Sequence, residues 1–106
     1  MVRVIIEHQV KDAENAELLI NAIRELRNEA MKQRGYITGE TLVNTEDKCN
    51  ILVISTWQDL TNWKTWDKSE TRAEITKRIN PLLAEPYAVH TYNYSLVREK
   101  RVWSTF

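Results

Sequence analysis

Between about Ala13 and Gln33, apolar residues recur at three- and four-residue spacing: Ala16, Leu19, Ile20, Ile23, Leu26, Ala30 and Met31. That spacing predicts one long helix with a single apolar stripe along its length. Its ends carry their own signals. Asp12 can cap the first turn, and Glu14 and Glu17 suit the positive end of the helix dipole. Lys32 and Arg34 suit the negative end, and Gly35 is placed to adopt a left-handed stop.

The sequence around this helix reads as strands. Arg3 to Val10 alternates, with Val2, Val4, Ile6, His8 and Val10 on one face and Arg3, Ile5, Glu7 and Gln9 on the other. Tyr36 to Asn44 and Cys49 to Trp57 form a second and third strand around the turn Thr45-Glu46-Asp47-Lys48, and Ile51-Leu52-Val53-Ile54 reads as buried on both faces. Asp59 can cap a short helix through Leu60, Trp63 and Lys64. Ser69 can cap another that runs to about Ile79, where Asn80-Pro81 closes it. After Pro86 a last strand runs from about Tyr87 to Val97, with Ala88, His90, Tyr92, Tyr94 and Leu96 along one face.

The order β-α-β-β-α(α)-β is the split-βαβ pattern of a ferredoxin-like α+β fold: a four-stranded antiparallel sheet with its helices on one face. No repeat, low-complexity run or linker divides the chain, so residues 1–106 read as one domain. Apolar side chains fall on both faces of the sheet, which calls for a cover on the second face. A second copy of the same sheet supplies one, so a symmetric dimer is expected. The tail, residues 97–106, is polar but ends in Trp103 and Phe106, which are expected to pack on that partner.

Charge narrows the class of partner. Lys plus Arg and Asp plus Glu each number 15, and a chain without basic excess is a poor match for nucleic acid or an anionic membrane. No stretch approaches the ~20 apolar residues of a membrane span, and Met1 to His8 lacks the apolar core of a signal peptide. A cytoplasmic location is the expectation. Cys49 is the one cysteine and has no ligand spacing around it, so neither an internal disulfide nor a cysteine metal site is expected. Phosphate loops, Ser or Cys nucleophile motifs and His/Cys metal spacings are absent as well.

Several stretches together resemble the antibiotic biosynthesis monooxygenase (ABM) family of dimeric α+β barrels. Val4-Ile5-Ile6-Glu7-His8-Gln9-Val10-Lys11 is similar to its first strand, and Arg34-Gly35-Tyr36-Ile37-Thr38-Gly39 to its helix-to-strand turn. Ile54-Ser55-Thr56-Trp57-Gln58-Asp59-Leu60, with Trp66 and Ser69, resembles its strand-end tryptophan and following helix; Pro81-Leu82-Leu83 precedes the last strand in the same order. The resemblance spans residues 2–94. It implies a cofactor-free monooxygenase of phenolic, polycyclic aromatic or quinol-type small molecules, with dioxygen as the other reactant. The family also includes haem-degrading enzymes, and fold alone does not choose between these activities.

The resemblance also points to particular residues. An asparagine and a tryptophan one helical turn apart line the family's substrate pocket, and Asn62 and Trp66 stand four apart here. An amide and an indole N–H suit a developing oxyanion; the alternative is a core Trp66 with Asn62 capping or solvated. His8 is a candidate general base or hydrogen-bond donor, or else a satisfied, half-buried histidine. Tyr36 is a candidate for the pocket mouth, and Arg72 for pairing with an anionic substrate unless it is simply a solvated helix residue. His90, Tyr92 and Tyr94 suit a dimer interface, and Trp57 and Trp63 the core. The haem-degrading relatives carry an axial histidine about ten residues past the helix tryptophan. No histidine occurs from Thr71 to Pro86 here, so haem is disfavoured and no cofactor is expected. A non-catalytic ligand-binding or sensing dimer is the competing class.

Overall fold

The computed structural model describes residues 1–95. The expectations for Leu96, Val97 and the tail with Trp103 and Phe106 lie outside the described residues. Four strands and three helices follow in the order β1 (Val2–Gln9), α1 (Ala13–Ala30), β2 (Tyr36–Val43), β3 (Asn50–Trp57), α2 (Leu60–Asp67), α3 (Glu70–Ile79) and β4 (Ala88–Asn93), with one 3-10 turn at Asn80–Leu82. The strands form one antiparallel sheet in the spatial order β2-β3-β1-β4. This is the ferredoxin-like α+β arrangement.

Local chemistry accounts for the helix starts. Asp12 accepts a hydrogen bond from the Asn15 backbone N–H at 2.9 Å, Asp59 from that of Asn62 at 2.9 Å, and Ser69 from that of Arg72 at 3.2 Å. Each answers one of the otherwise orphaned donors of a first turn. The end of α1 differs from the sequence expectation. The helix stops at Ala30, short of the expected Gln33, with Met31 as its C-cap and 62% exposed. The chain then tightens through i→i−3 bonds from Lys32 to Glu29 and from Gln33 to Ala30. Gly35 is left-handed (φ +85°), but it opens β2 rather than ending α1. Its carbonyl accepts from the Gln58 N–H at 2.8 Å, which ties the entry of β2 to the exit of β3.

The covered face of β1 carries Val2, Val4, Ile6 and His8, all buried. Against the sheet, buried side chains gather in two clusters. One holds Val10, Leu19, Ala22, Ile23, Ile51, Ile75, Ile79 and Leu83; the other holds Val2, Val4, Ile6, Ala30 and the indoles of Trp57, Trp63 and Trp66. Leu26, Val53 and Tyr87 pack against both clusters and mark the seam between them.

Among the described residues, nothing covers the opposite face of the sheet. Ile5 stands opposite Ile54 on one side and His90 on the other, and Arg3 opposite Thr56 and Tyr92. All six residues of β4 are exposed. Leu52, Val53 and Ile54, expected to be buried, are half-buried: Leu52 and Ile54 point to the opposite face, while Val53 faces the helices beside a cavity. Tyr94 falls beyond β4, which ends at Asn93. Among the described residues, no helix is long and apolar enough to cross a membrane.

Candidate functional site

At the seam between the two clusters lies a cavity of about 50 Å³. A buried water needs on the order of 10–15 Å³ of such space, so there is room for a few waters; a cavity that admits benzene measures about 150 Å³, so an aromatic ring enters only as the wall side chains move apart. The sheet forms its floor with Ile6, His8, Val53 and Trp57; α1 contributes Leu26 and Arg27, α2 contributes Trp63 and Trp66, and α3 contributes Arg72 and Ile79. Tyr36 and Tyr87 complete the wall.

Three indoles give the cavity its aromatic side. Tyr36 meets Trp57 edge-on with ring centroids 5.3 Å apart, and Trp57 meets Trp63 edge-on at 6.0 Å. Such contacts hold the rings in fixed orientations. The Trp57 indole N–H donates to the Ser55 hydroxyl at 2.9 Å. Trp66 is 3% exposed, and its indole N–H has no acceptor among the described residues.

His8 is buried at the cavity wall. Its Nδ1 lies 3.3 Å from the Ile51 carbonyl oxygen. A carbonyl only accepts, so Nδ1 carries the proton and Nε2 of the neutral ring keeps its lone pair. Burial holds the His8 pKa below the ordinary histidine value; the bond to Ile51 opposes this and the Arg72 charge adds to it. The ring is therefore a neutral base near pH 7. Tyr87 stacks obliquely beside it, with centroids 5.7 Å apart.

Arg72 is not the solvated helix residue that its charge suggests. Its side chain is 6% exposed, with Nε donating to Asp67 at 3.0 Å. The guanidinium lies over the Trp63 ring, 5.2 Å from its centroid. Among the described residues, no acceptor meets its two terminal nitrogens. A second guanidinium stands across the cavity: Arg27, half-buried, donates to the Thr41 hydroxyl at 2.6 Å. The phenol of Tyr36 lies over Gly39, where a Cβ would collide with its hydroxyl. Burial raises the Tyr36 pKa, with Arg27 pulling it the other way.

Of the sequence candidates, His8, Trp66, Tyr36 and Arg72 meet around one cavity, while Asn62 stands outside it. The Asn62 side chain is half-buried and packs on Gly35, whose missing Cβ leaves room for it. His90 and Tyr92 lie on the uncovered face of the sheet, across it from the cavity. Sequence reasoning missed Arg27 and Tyr87 as wall residues and assigned Trp57 and Trp63 to the core alone. Arg27 did leave a signal: it follows Ile23 by four residues, a charge inside the apolar stripe. Among the described residues, no group of three or more His, Cys, Asp or Glu side chains is gathered as a metal site.

A family model for antibiotic biosynthesis monooxygenases matches residues 1–78. Protein SchA from Streptomyces halstedii is 24% identical over 98 residues, which are 92% of this chain and 25% of that protein. The chain thus spans a quarter of that relative's length. Among solved structures, a conserved protein from Methanosarcina mazei Go1 superposes with a TM-score of 0.82 at 20% identity, covering 89% of this chain and 92% of its own. A mutant of SnoaB from Streptomyces nogalater, a cofactor-independent oxygenase, superposes with a TM-score of 0.75 at 12% identity, covering 92% and 97%. At such identities the structural likeness speaks for the shared fold. The family model covers most of the chain, and its βαββαβ sheet recurs in these structures: the chain belongs to the antibiotic biosynthesis monooxygenase (ABM) family.

Proposed function

We propose that this chain is a cofactor-independent monooxygenase acting on a phenolic or quinol-type small molecule. The observation that carries this reading is the pairing of an aromatic-walled cavity with a buried, neutral His8 whose Nε2 is free to take a proton. The family match and the description of SnoaB as a cofactor-independent oxygenase support the reaction class.

In such a reaction the substrate supplies all the electrons. His8 Nε2 removes the phenol proton, and the resulting electron-rich ring reacts with dioxygen at a ring carbon. One oxygen atom stays on that carbon, the other leaves as water, and the phenol becomes a quinone. The protein's part is to position the ring, keep bulk water away and stabilise the oxyanion. Trp57, Trp63 and Trp66 hold the ring, and the unpaired Trp66 N–H donates to the oxyanion. Tyr36 stands at the wall beside Trp57. Asn62 acts as a positioning residue, by supporting the Gly35–Tyr36 turn on which it packs.

The same proposal includes a homodimer formed through the uncovered sheet face. Tyr92 (55% exposed), Leu42 (46%) and the half-buried Ile5 and Ile54 lie there without a cover among the described residues. Size-exclusion chromatography with light scattering is expected to give twice the chain mass; a monomer would refute the dimer.

The activity is tested by dissolved-oxygen uptake of the metal-stripped protein with a panel of hydroquinols and hydroxyanthrones. Uptake above the protein-free rate, lost in both Trp66→Phe and His8→Gln, is the expected result. No uptake across the panel, with the wild-type protein folded, would overturn the oxygenase reading.

A further inference from the structure

Two features of the cavity are not used by the reaction class alone. The first is its charge: among the described residues its lining includes two arginines and no Asp or Glu. The second is the state of Arg72. Only its Nε is engaged, by an Asp67 that is itself 43% exposed, while its terminal nitrogens have no acceptor among the described residues and keep some access to water. Burying a cation with unmet donors is costly. Helix packing does not require it, because α3 already buries Ile75 and Ile79 in the same register.

A guanidinium fork with free terminal nitrogens matches the two oxygens of a carboxylate. Its neighbour in the wall, His8, presents an acceptor matched to a hydroxyl, and the guanidinium carbon of Arg72 lies 5.2 Å from the centre of the Trp63 ring. Space limits the rest of the molecule. About 50 Å³ is below the ~150 Å³ that admits benzene, so a bound molecule is no larger than one ring and is seated by movement of the wall side chains. We infer that the cavity takes a monocyclic aromatic acid, a phenol carrying an ionised carboxylate, with the carboxylate on the terminal nitrogens of Arg72 and the phenol hydroxyl directed to His8 Nε2. This rests on the cavity being the substrate site of the reading above, and it narrows the substrate class of that reading.

Binding is measured without oxygen, so that turnover plays no part. Quenching of tryptophan fluorescence is followed on adding para-hydroxybenzoate, its neutral analogue para-hydroxybenzamide, or para-nitrophenol at a pH where it is ionised. The acid is expected to bind at least about tenfold tighter than the amide, since a charge-assisted bond to a buried partner is worth that much. Arg72→Gln is expected to remove that preference while leaving amide affinity within about twofold, and Arg72→Lys to keep part of it. Equal affinities for acid and amide, or an acid affinity untouched in Arg72→Gln, would overturn the inference. A phenolate that binds tighter than the carboxylate would overturn it too, by assigning Arg72 to a different oxyanion. Selective binding without oxygen uptake would leave this inference standing and sink the oxygenase, whereas uptake without carboxylate selectivity would do the reverse.

Discussion

Replacing Arg72 with methionine should stabilise the protein. The unbranched methionine keeps much of the volume of the arginine stem, so packing against Trp63 is largely retained. Two attractions are lost. The Asp67 pair contributes at most about 1 kcal/mol, because the carboxylate is 43% exposed and screened by water. The stacking on Trp63 at 5.2 Å contributes about 1 kcal/mol. Against these losses stands relief from confining two donors that keep only part of their access to water, about 1–3 kcal/mol each if wholly sealed and less here. Taking about 3 kcal/mol for that relief leaves a net gain of about 1 kcal/mol, or a rise of roughly 4–8 °C in Tm for a domain of this size. Urea denaturation of ligand-free wild-type and Arg72→Met protein at neutral pH reads the difference directly. A loss of more than about 2 kcal/mol would refute the reasoning, because it would make the arginine a structural support rather than a group held at a cost for a ligand.

His8 should make stability fall on mild acidification. Its folded pKa is lowered, so as pH drops below about 6.5 the unfolded chain takes up a proton that the folded chain refuses, at up to about 1.4 kcal/mol per pH unit until the folded pKa is reached. Urea midpoints at pH 7 and about 5.5 should therefore separate less in His8→Gln than in wild type; equal separations would place the titrating group elsewhere. Leu19→Ala, at a fully buried position of α1, should cost about 3–5 kcal/mol, while Leu18→Ala next to it, 51% exposed, should stay within about 0.5 kcal/mol by the same denaturation assay. Gly35→Ala should cost about 2–3 kcal/mol, from a left-handed backbone and a Cβ placed 2.7 Å from that of Asn62. The double variant with Asn62→Ala should recover part of that loss, and purely additive effects would show that the two residues do not press on each other.

The elements were legible in the sequence because their signals are local. Asp12, Asp59 and Ser69 each sit three residues before the N–H they cap, so chain distance alone locates three helix starts. Gly35 has the backbone hand its sequence suggests but another task, because handedness is local while the point at which α1 stops is set by how the chain turns into β2. Asn62 shows the limit of face arithmetic. Spacing sets it one turn from Trp66, but α2 buries Trp63 together with Trp66. The inward side of this short helix is therefore centred between the two indoles, and Asn62 is turned aside onto Gly35.

The cavity itself was not legible, because periodicity tells which side chains face inward and not where two packed clusters fail to close. It nevertheless left a trace in both long helices. Arg72 shares its face with Ile75 and Ile79, and Arg27 shares one with Ile23 and Ala30; each interrupts an otherwise apolar stripe. A charge on a solvated face needs no account, but a charge in the register of a stripe is carried into the core by its neighbours. Both arginines arrive at the same seam, where Leu26, Val53 and Tyr87 join the two clusters and His8 lacks a partner on one nitrogen. An aliphatic residue at either position would extend its cluster across the gap. The polar interruptions and the unfilled space therefore fall at one place, the place where the inferred aromatic acid would complete the core.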